Sequence, residues 1–219
     1  MRTAAGTHWS GDLLVGAGWA RFVGNAGSAP SLACACSRVV VAMCSWVVAS
    51  SNDGADARRF AGAVVAPDAP LAIDRVRPYA QVLFLDARLA AAYRLHLRRT
   101  ASMEALGRDR AALWRRAIYA LKPEDGIQDV AQALLSGQRE TTPEESADAE
   151  SGNAAVVRDW VRVGQVARAC RTGVALSDAA RESSIGSARQ CQMLFRRLFG
   201  LSATELLALS DDGVRQHRR

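Results

Sequence analysis

The chain has 219 residues, 49% of them hydrophobic and 23% charged, enough apolar material for one large domain or two small ones. Its net charge of +6 and pI near 9.5 lean toward a polyanionic partner. No stretch reaches the ~18–20 apolar residues of a membrane span, so no membrane partner is expected.

In chain order, residues 1–87 read as β structure. Arg2 is not followed by an apolar run, so no signal peptide is expected. Short apolar runs over 19–23, 38–43, 45–48, 62–66, 71–73 and 80–85 are separated by turn formers such as Gly24-Asn25-Ala26-Gly27-Ser28. Many short strands at close spacing predict a small barrel or sandwich. The run 39–49 reads as a buried strand pair. From 88 the period changes. Residues 88–99 and 103–121 have helical spacing, with Leu89, Ala92, Tyr93, His96 and Leu97 on one face. Segment 88–123 is therefore expected to be connecting helices. Residues 127–135 form a short helix, 137–152 an acidic linker, and 153–171 a further helix.

Charge follows the same division. Residues 124–150 carry eight acids and one base, a net of −7, whereas 156–219 carry eleven arginines and six acids, a net of +5. A basic final third beside an acidic connector is the footprint of a nucleic-acid-binding domain on a linker. Lys122 is the sole lysine among 28 basic residues. Arginine suits forked contacts to phosphate and guanine, although a GC-rich genome also produces an Arg- and Ala-rich, Lys-poor chain.

The informative segment is 173–209. A short small-residue helix begins at Leu176, a turn falls at 183–186, and Ser187 opens a second helix that Gly200 stops. Ser187 and Gln190 match a capping box, as do Ser202 and Glu205 ahead of a last helix. Cys191, Leu194, Phe195 and Leu198 make one apolar stripe, and Ala188, Arg189, Gln192, Met193 and Arg196 lie opposite. This is the plan of a helix-turn-helix, whose outer face enters the major groove. Arg189 and Gln192 are residue types that fork onto guanine and adenine edges. Arg196 and Arg197 are placed for phosphate. Spacing alone fits an ordinary helical hairpin with a solvated basic face as well.

The run from Ala179-Ala180 through Ser184-Ile185 and Cys191 to Phe195-Arg196-Arg197-Leu198-Phe199-Gly200 and Ser202 resembles the second helix-turn-helix of AraC/XylS-type transcription regulators. That family reads Ala-Ala-x-x-x-Gly-Phe, then Phe, then Phe-Arg-Arg-x-Phe-Gly-x-Ser-Pro. Here Ser184 replaces the turn glycine, Ile185 and Cys191 replace phenylalanines, and Ala203 replaces proline. Upstream, 157–171 with Trp160-Val161-Arg162 is similar to the helix joining the two helix-turn-helices of the family. The first of them then falls in 127–153, shortened where its recognition helix belongs and acidic. The N-terminal half resembles a cupin-like sensor domain through Trp19-Ala-Arg-Phe-Val23-Gly24, Ala63-Val-Val-Ala-Pro67 and Leu83-Phe-Leu85-Asp86. Cys34, Cys36 and Leu71 stand where that pattern often has histidines.

The resemblance implies an α+β protein with a β-rich cupin-like sensor domain (1–87) before an all-α helix-turn-helix DNA-binding domain (124–219). It implies a cytoplasmic bacterial transcription factor whose partners are double-stranded DNA, a small-molecule effector and a second copy in a homodimer. Ser187, Ala188, Arg189, Gln190, Gln192, Met193, Arg196 and Arg197 form the expected DNA-binding set, helped by the 215–219 tail. The alternative is a DNA-incompetent interaction protein that pairs with a full-length relative.

Other chemistry finds little support. No Gly-x-Ser-x-Gly, Walker loop or His-Glu-x-x-His occurs, so no enzyme and no cofactor is expected. Cys34, Cys36 and Cys44 could hold a soft metal or be small buried groups, and the structural reading is preferred. His8, His96 and His217 form no ligand pair. The odd cysteine count without framework spacing suits a reducing cytoplasm.

Overall fold

The computed structural model describes residues 9–26, 33–44, 46–50, 58–73, 79–88, 102–135 and 150–207. The strands are β1 (Ser10–Gly16), β2 (Trp19–Asn25), β3 (Cys36–Ala42), β4 (Val47–Ser50), β5 (Arg58–Phe60), β6 (Gly62–Val65), β7 (Ala72–Ile73), β8 (Tyr79–Asp86) and β9 (Met103–Leu106). The helices are α1 (Arg108–Ala120), α2 (Ile127–Leu135), α3 (Glu150–Arg171), α4 (Leu176–Glu182), α5 (Ala188–Phe199) and α6 (Ala203–Leu206). The class is α+β, with a β-rich N-terminal region followed by helices.

One sheet has the order β1-β2-β8-β3-β6-β9 and is antiparallel throughout; a second runs β5-β4-β7. The central strands explain their own sequence. All of β3 is buried, and so is β8 apart from Tyr79. A strand covered on both faces reads as an unbroken apolar run, not an alternation. Val40, Val82, Phe84 and Phe22 face one core; Val39, Val41, Leu83 and Leu85 face another.

The second core is closed by α1 and α2. Trp114 and Ile118 of α1 and Val130 and Leu134 of α2 pack against the sheet. The indole of Trp114 donates to Leu134 O at 3.0 Å, and that of Trp19 to Asp125 O at 2.8 Å. Gln81 of β8 is fully buried and sets its amide between two α1 groups, nitrogen toward Arg115 O (3.1 Å) and oxygen toward Tyr119 N (3.0 Å). A buried amide satisfied on both sides fixes the helix on the strand.

The first core joins the sheet to α3, α4, α5 and α6. Its hub is Phe199, which meets Phe84 edge-on at 5.1 Å, Trp160 at 5.5 Å and Phe195 at 5.4 Å. The Trp160 indole donates to Asp86 at 3.3 Å, and Ala35 N donates to Arg197 O at 2.8 Å. At the far end of α3, Arg171 pairs with Asp12 at 3.0 Å and donates to Leu13 O of β1.

Several expectations are corrected. The single helix over 103–121 is β9 followed by α1. Met-Glu-Ala-Leu has strong helix formers, but pairing of Gly62–Val65 with these four residues overrides propensity, and Gly107 then starts the helix. The strands of 39–49 do not pair with each other: β3 lies in the large sheet and β4 in the small one. β1 and β5 were not foreseen. α3 starts at Glu150, inside the expected linker. The expected helix residues 89–99, the rest of the linker to 149, the 215–219 tail and all three histidines lie outside the described residues.

Candidate nucleic-acid interface

Helix α4 buries Leu176, Ala179 and Ala180. Ser183 ends it, and the chain reverses: Ser184 N donates to Arg181 O at 3.1 Å and Ile185 N to Ala180 O at 2.9 Å. These two bonds are those of a Schellman stop, which needs a left-handed residue at the first position past the cap. Ser184 occupies it at φ 57°. The resemblance expects glycine there, and a side chain in this region costs about 1–2 kcal/mol. Gly186 (φ 104°) takes a backbone conformation that side chains rarely adopt, and a Cβ there would lie 2.5 Å from Gln190 Oε1, so the capping glutamine would have to move.

Both ends of α5 are capped. Ser187 Oγ accepts from Gln190 N at 3.2 Å, and Gln190 Oε1 accepts from Ser187 N at 2.9 Å. Gly200 closes the other end at φ 72°. Cys191, Phe195, Leu198 and Phe199 are buried, while Leu194 is half-buried beside them.

The opposite side carries the expected DNA-binding residues in three different conditions. Arg189, Met193 and Arg196 are exposed, Met193 at 62% despite being apolar. Neither arginine makes an ion pair among the described residues. Ser187 and Gln190 are exposed but tied to each other by the cap, and Ala188 is half-buried. Gln192 and Arg197 are engaged elsewhere in the protein. Gln192 Nε2 donates to Thr204 Oγ1 at 2.7 Å, and its Oε1 accepts from Ala203 N at 2.8 Å. It thus satisfies one of the free N–H groups at the start of α6. Arg197 pairs with Asp159 of α3 at 2.5 Å.

Two neighbouring acids are also occupied. Asp178 pairs with Arg181 at 2.7 Å, and Glu205 accepts from Ser202 N at 2.7 Å and Ser202 Oγ at 2.6 Å. Arg189 and Arg196 therefore leave exposed cationic charge on this surface, and Arg189 stands in the first turn of α5, where the helix dipole adds positive potential. The roles of Asp159, Ala203 and Thr204 as partners of Arg197 and Gln192 are not visible in the sequence. Their only signal is spatial, because each partner lies beyond a turn or on another helix.

The region that the resemblance associates with histidines is filled. Cys34, Cys36 and Leu71 are buried together, with the fully buried Arg38 donating to Ala66 O (3.4 Å) and Ala69 O. Burial pushes the thiols of Cys34 and Cys36 up and the Arg38 guanidinium down. Burial also pushes Cys191 up to about 12. Thiols held protonated in this way are poor nucleophiles and poor metal ligands. Cys44 is exposed. Among the described residues no group of three His, Cys, Asp or Glu side chains could hold a metal ion, and no helix is long and apolar enough to cross a membrane.

No family model matches the chain, and no curated protein does. Among solved structures, an apo ToxT variant from Vibrio cholerae is similar over 90% of this chain and 96% of that one, with 8% identity and a TM-score of 0.45. ToxT from Vibrio cholerae O395 gives 92% and 97% coverage, 7% identity and a TM-score of 0.41. ToxT with bound unsaturated fatty acid gives 97% and 99% coverage, 7% identity and a TM-score of 0.35. At these scores the likeness is faint, and the functional reading rests on this chain's own residues.

Proposed function

We propose that the protein is a sequence-specific DNA-binding regulator of the AraC type that lays the outer face of α5 in the major groove. The carrying observation is the contrast across α5: one side is anchored by Phe195, Leu198 and Phe199, while Arg189, Met193 and Arg196 are exposed on the other, with no ion pair to either arginine among the described residues. Arg189 reads a guanine, Met193 contacts an apolar base edge, and Arg196 holds a phosphate. Gln192 reads a base only by releasing Thr204 and Ala203, so its first role is to position α6 against α5. Arg197 reaches phosphate only by releasing Asp159. In this reading residues 124–219 serve DNA and 1–87 serve sensing and dimer contacts, with 88–123 joining them.

The tied state of Gln192 and Arg197 favours a second reading, a protein that pairs with a full-length relative and has lost DNA recognition. Gel-shift titration against genomic fragments separates the two. The regulator binds selected fragments and weakens steeply as salt rises, because phosphate contacts release counterions. Failure to bind any fragment at low salt overturns the regulator and favours the interaction protein.

A further inference from the structure

A groove with a volume of about 690 Å³ opens where the start of α1 meets the junction of the two sheets. This lies within the ~300–1,000 Å³ range of small-molecule sites. The groove is distinct from the exposed side of α5 and from the packed interior around Arg38. Val41, Phe60 and Leu106 form its apolar floor, and Trp46 forms a wall. Arg59, Arg108 and Arg115 also line it, and no carboxylate does among the described residues.

The three arginines are not equivalent. Arg115 donates to Ala42 O at 3.2 Å and Cys44 O at 3.3 Å, so it holds the chain between β3 and β4 in place. The guanidinium of Arg59 lies over the Trp46 ring, 4.5 Å from its centroid, a contact that holds the charge at the groove and does not use up its N–H donors. Arg108 is the first residue of α1, a helix whose N-terminus has no side-chain cap. A Cβ on Gly107 would meet nothing within 4 Å, so this end of the helix faces open space. An apolar floor with two available guanidiniums and no acid is complementary to a molecule that is apolar at one end and anionic at the other.

We propose that this groove binds a small amphipathic anion, its apolar body against Trp46, Phe60 and Leu106 and its acid group between Arg59 and Arg108. The site would make the β-rich region a sensor of organic acids, but its occupancy does not depend on whether α5 binds DNA. Cys44 lines the same groove and is the exposed cysteine; the other four are buried. A ligand there shields it.

The full chain is titrated, without DNA, with 8-anilino-1-naphthalenesulfonate, an aromatic anion that brightens on apolar surfaces. Single-site binding is expected, with displacement by 4-phenylbutyrate and about ten-fold weaker displacement by the neutral 4-phenylbutan-1-ol, the difference one charge-assisted hydrogen bond makes. Arg59→Gln and Arg108→Gln each weaken the dye by about ten-fold on the same ground. Ala112→Trp, on the groove-lining side of α1, removes binding with the far-ultraviolet circular dichroism unchanged. Bound dye slows alkylation of Cys44. Equal displacement by acid and alcohol, full binding by a natively folded Ala112→Trp protein, or unprotected Cys44 overturns the proposal. None of these results bears on DNA binding, so the two readings fail separately.

Discussion

The two faces of the large sheet are closed in different ways. On one, α1 and α2 cover Val39, Val41, Leu83 and Leu85 with residues close behind them in the chain, and buried indole and amide groups of Trp114, Trp19 and Gln81 lock the contact. On the other, the cover is α3 to α6, and the same side chains that seat α5 also complete the core of the sheet. Phe199 touches a strand, the long helix and its own helix at once. The first arrangement is a lid. The second makes the position of α5 a property of the whole fold, so the outer face of that helix is presented at an orientation the sheet determines.

The sharpest way to break this comparison is Phe199→Ala. Losing a fully buried aromatic ring is expected to cost about 3–5 kcal/mol, and chemical denaturation followed separately by far-ultraviolet dichroism and tryptophan fluorescence should show both regions melting in one transition. Two separated transitions would mean that α5 and the sheet are independent units. A smaller effect is expected from the opposite side of the same helix. Arg189→Ala should leave stability unchanged and lose about 1–3 kcal/mol of discrimination at one base pair, as a forked contact does. Equal losses on specific and random DNA would remove Arg189 from base reading.

The same contrast shows what was legible. β3 and β8 could be placed from 38–43 and 80–85 because burial on both faces writes an unbroken apolar run. β9 could not, because Met103, Glu104, Ala105 and Leu106 are helix formers held extended by β6 alone. β1 was hidden because only Leu13, Leu14 and Val15 are strongly apolar between glycines, and two of the three are only half-buried. α5 was legible in full, caps included, since its signals lie within the fourteen consecutive residues Ser187–Gly200. What the sequence did not disclose was the occupation of Gln192 and Arg197. Ala203 and Thr204 lie past the Gly200 reversal, and Asp159 sits on another helix. A face can be read from period, but whether its groups are already spent depends on folding.

The capped turn offers two finer tests. Ser187→Ala removes the acceptor for Gln190 N and should cost about 1 kcal/mol, the usual value of a lost N-cap, measured as a lower denaturation midpoint. Ser184→Gly should act in reverse. Relief of a left-handed side chain outweighs the entropy glycine adds to the unfolded chain, for a net gain of a few tenths to about 1 kcal/mol. A decrease would mean that the serine hydroxyl, and not the turn geometry, holds that position.

The contact of Arg171 with β1 has a consequence for solubility. β1 is the last strand on its side of the sheet, and the unpaired carbonyls of such a strand can recruit a stray chain into the ladder. Arg171 takes up the Leu13 carbonyl and sets its charge beside Asp12 at this margin. The long helix thereby works as a guard rail against sheet-by-sheet polymerisation, and Arg171→Ala should show itself first as precipitation at high concentration.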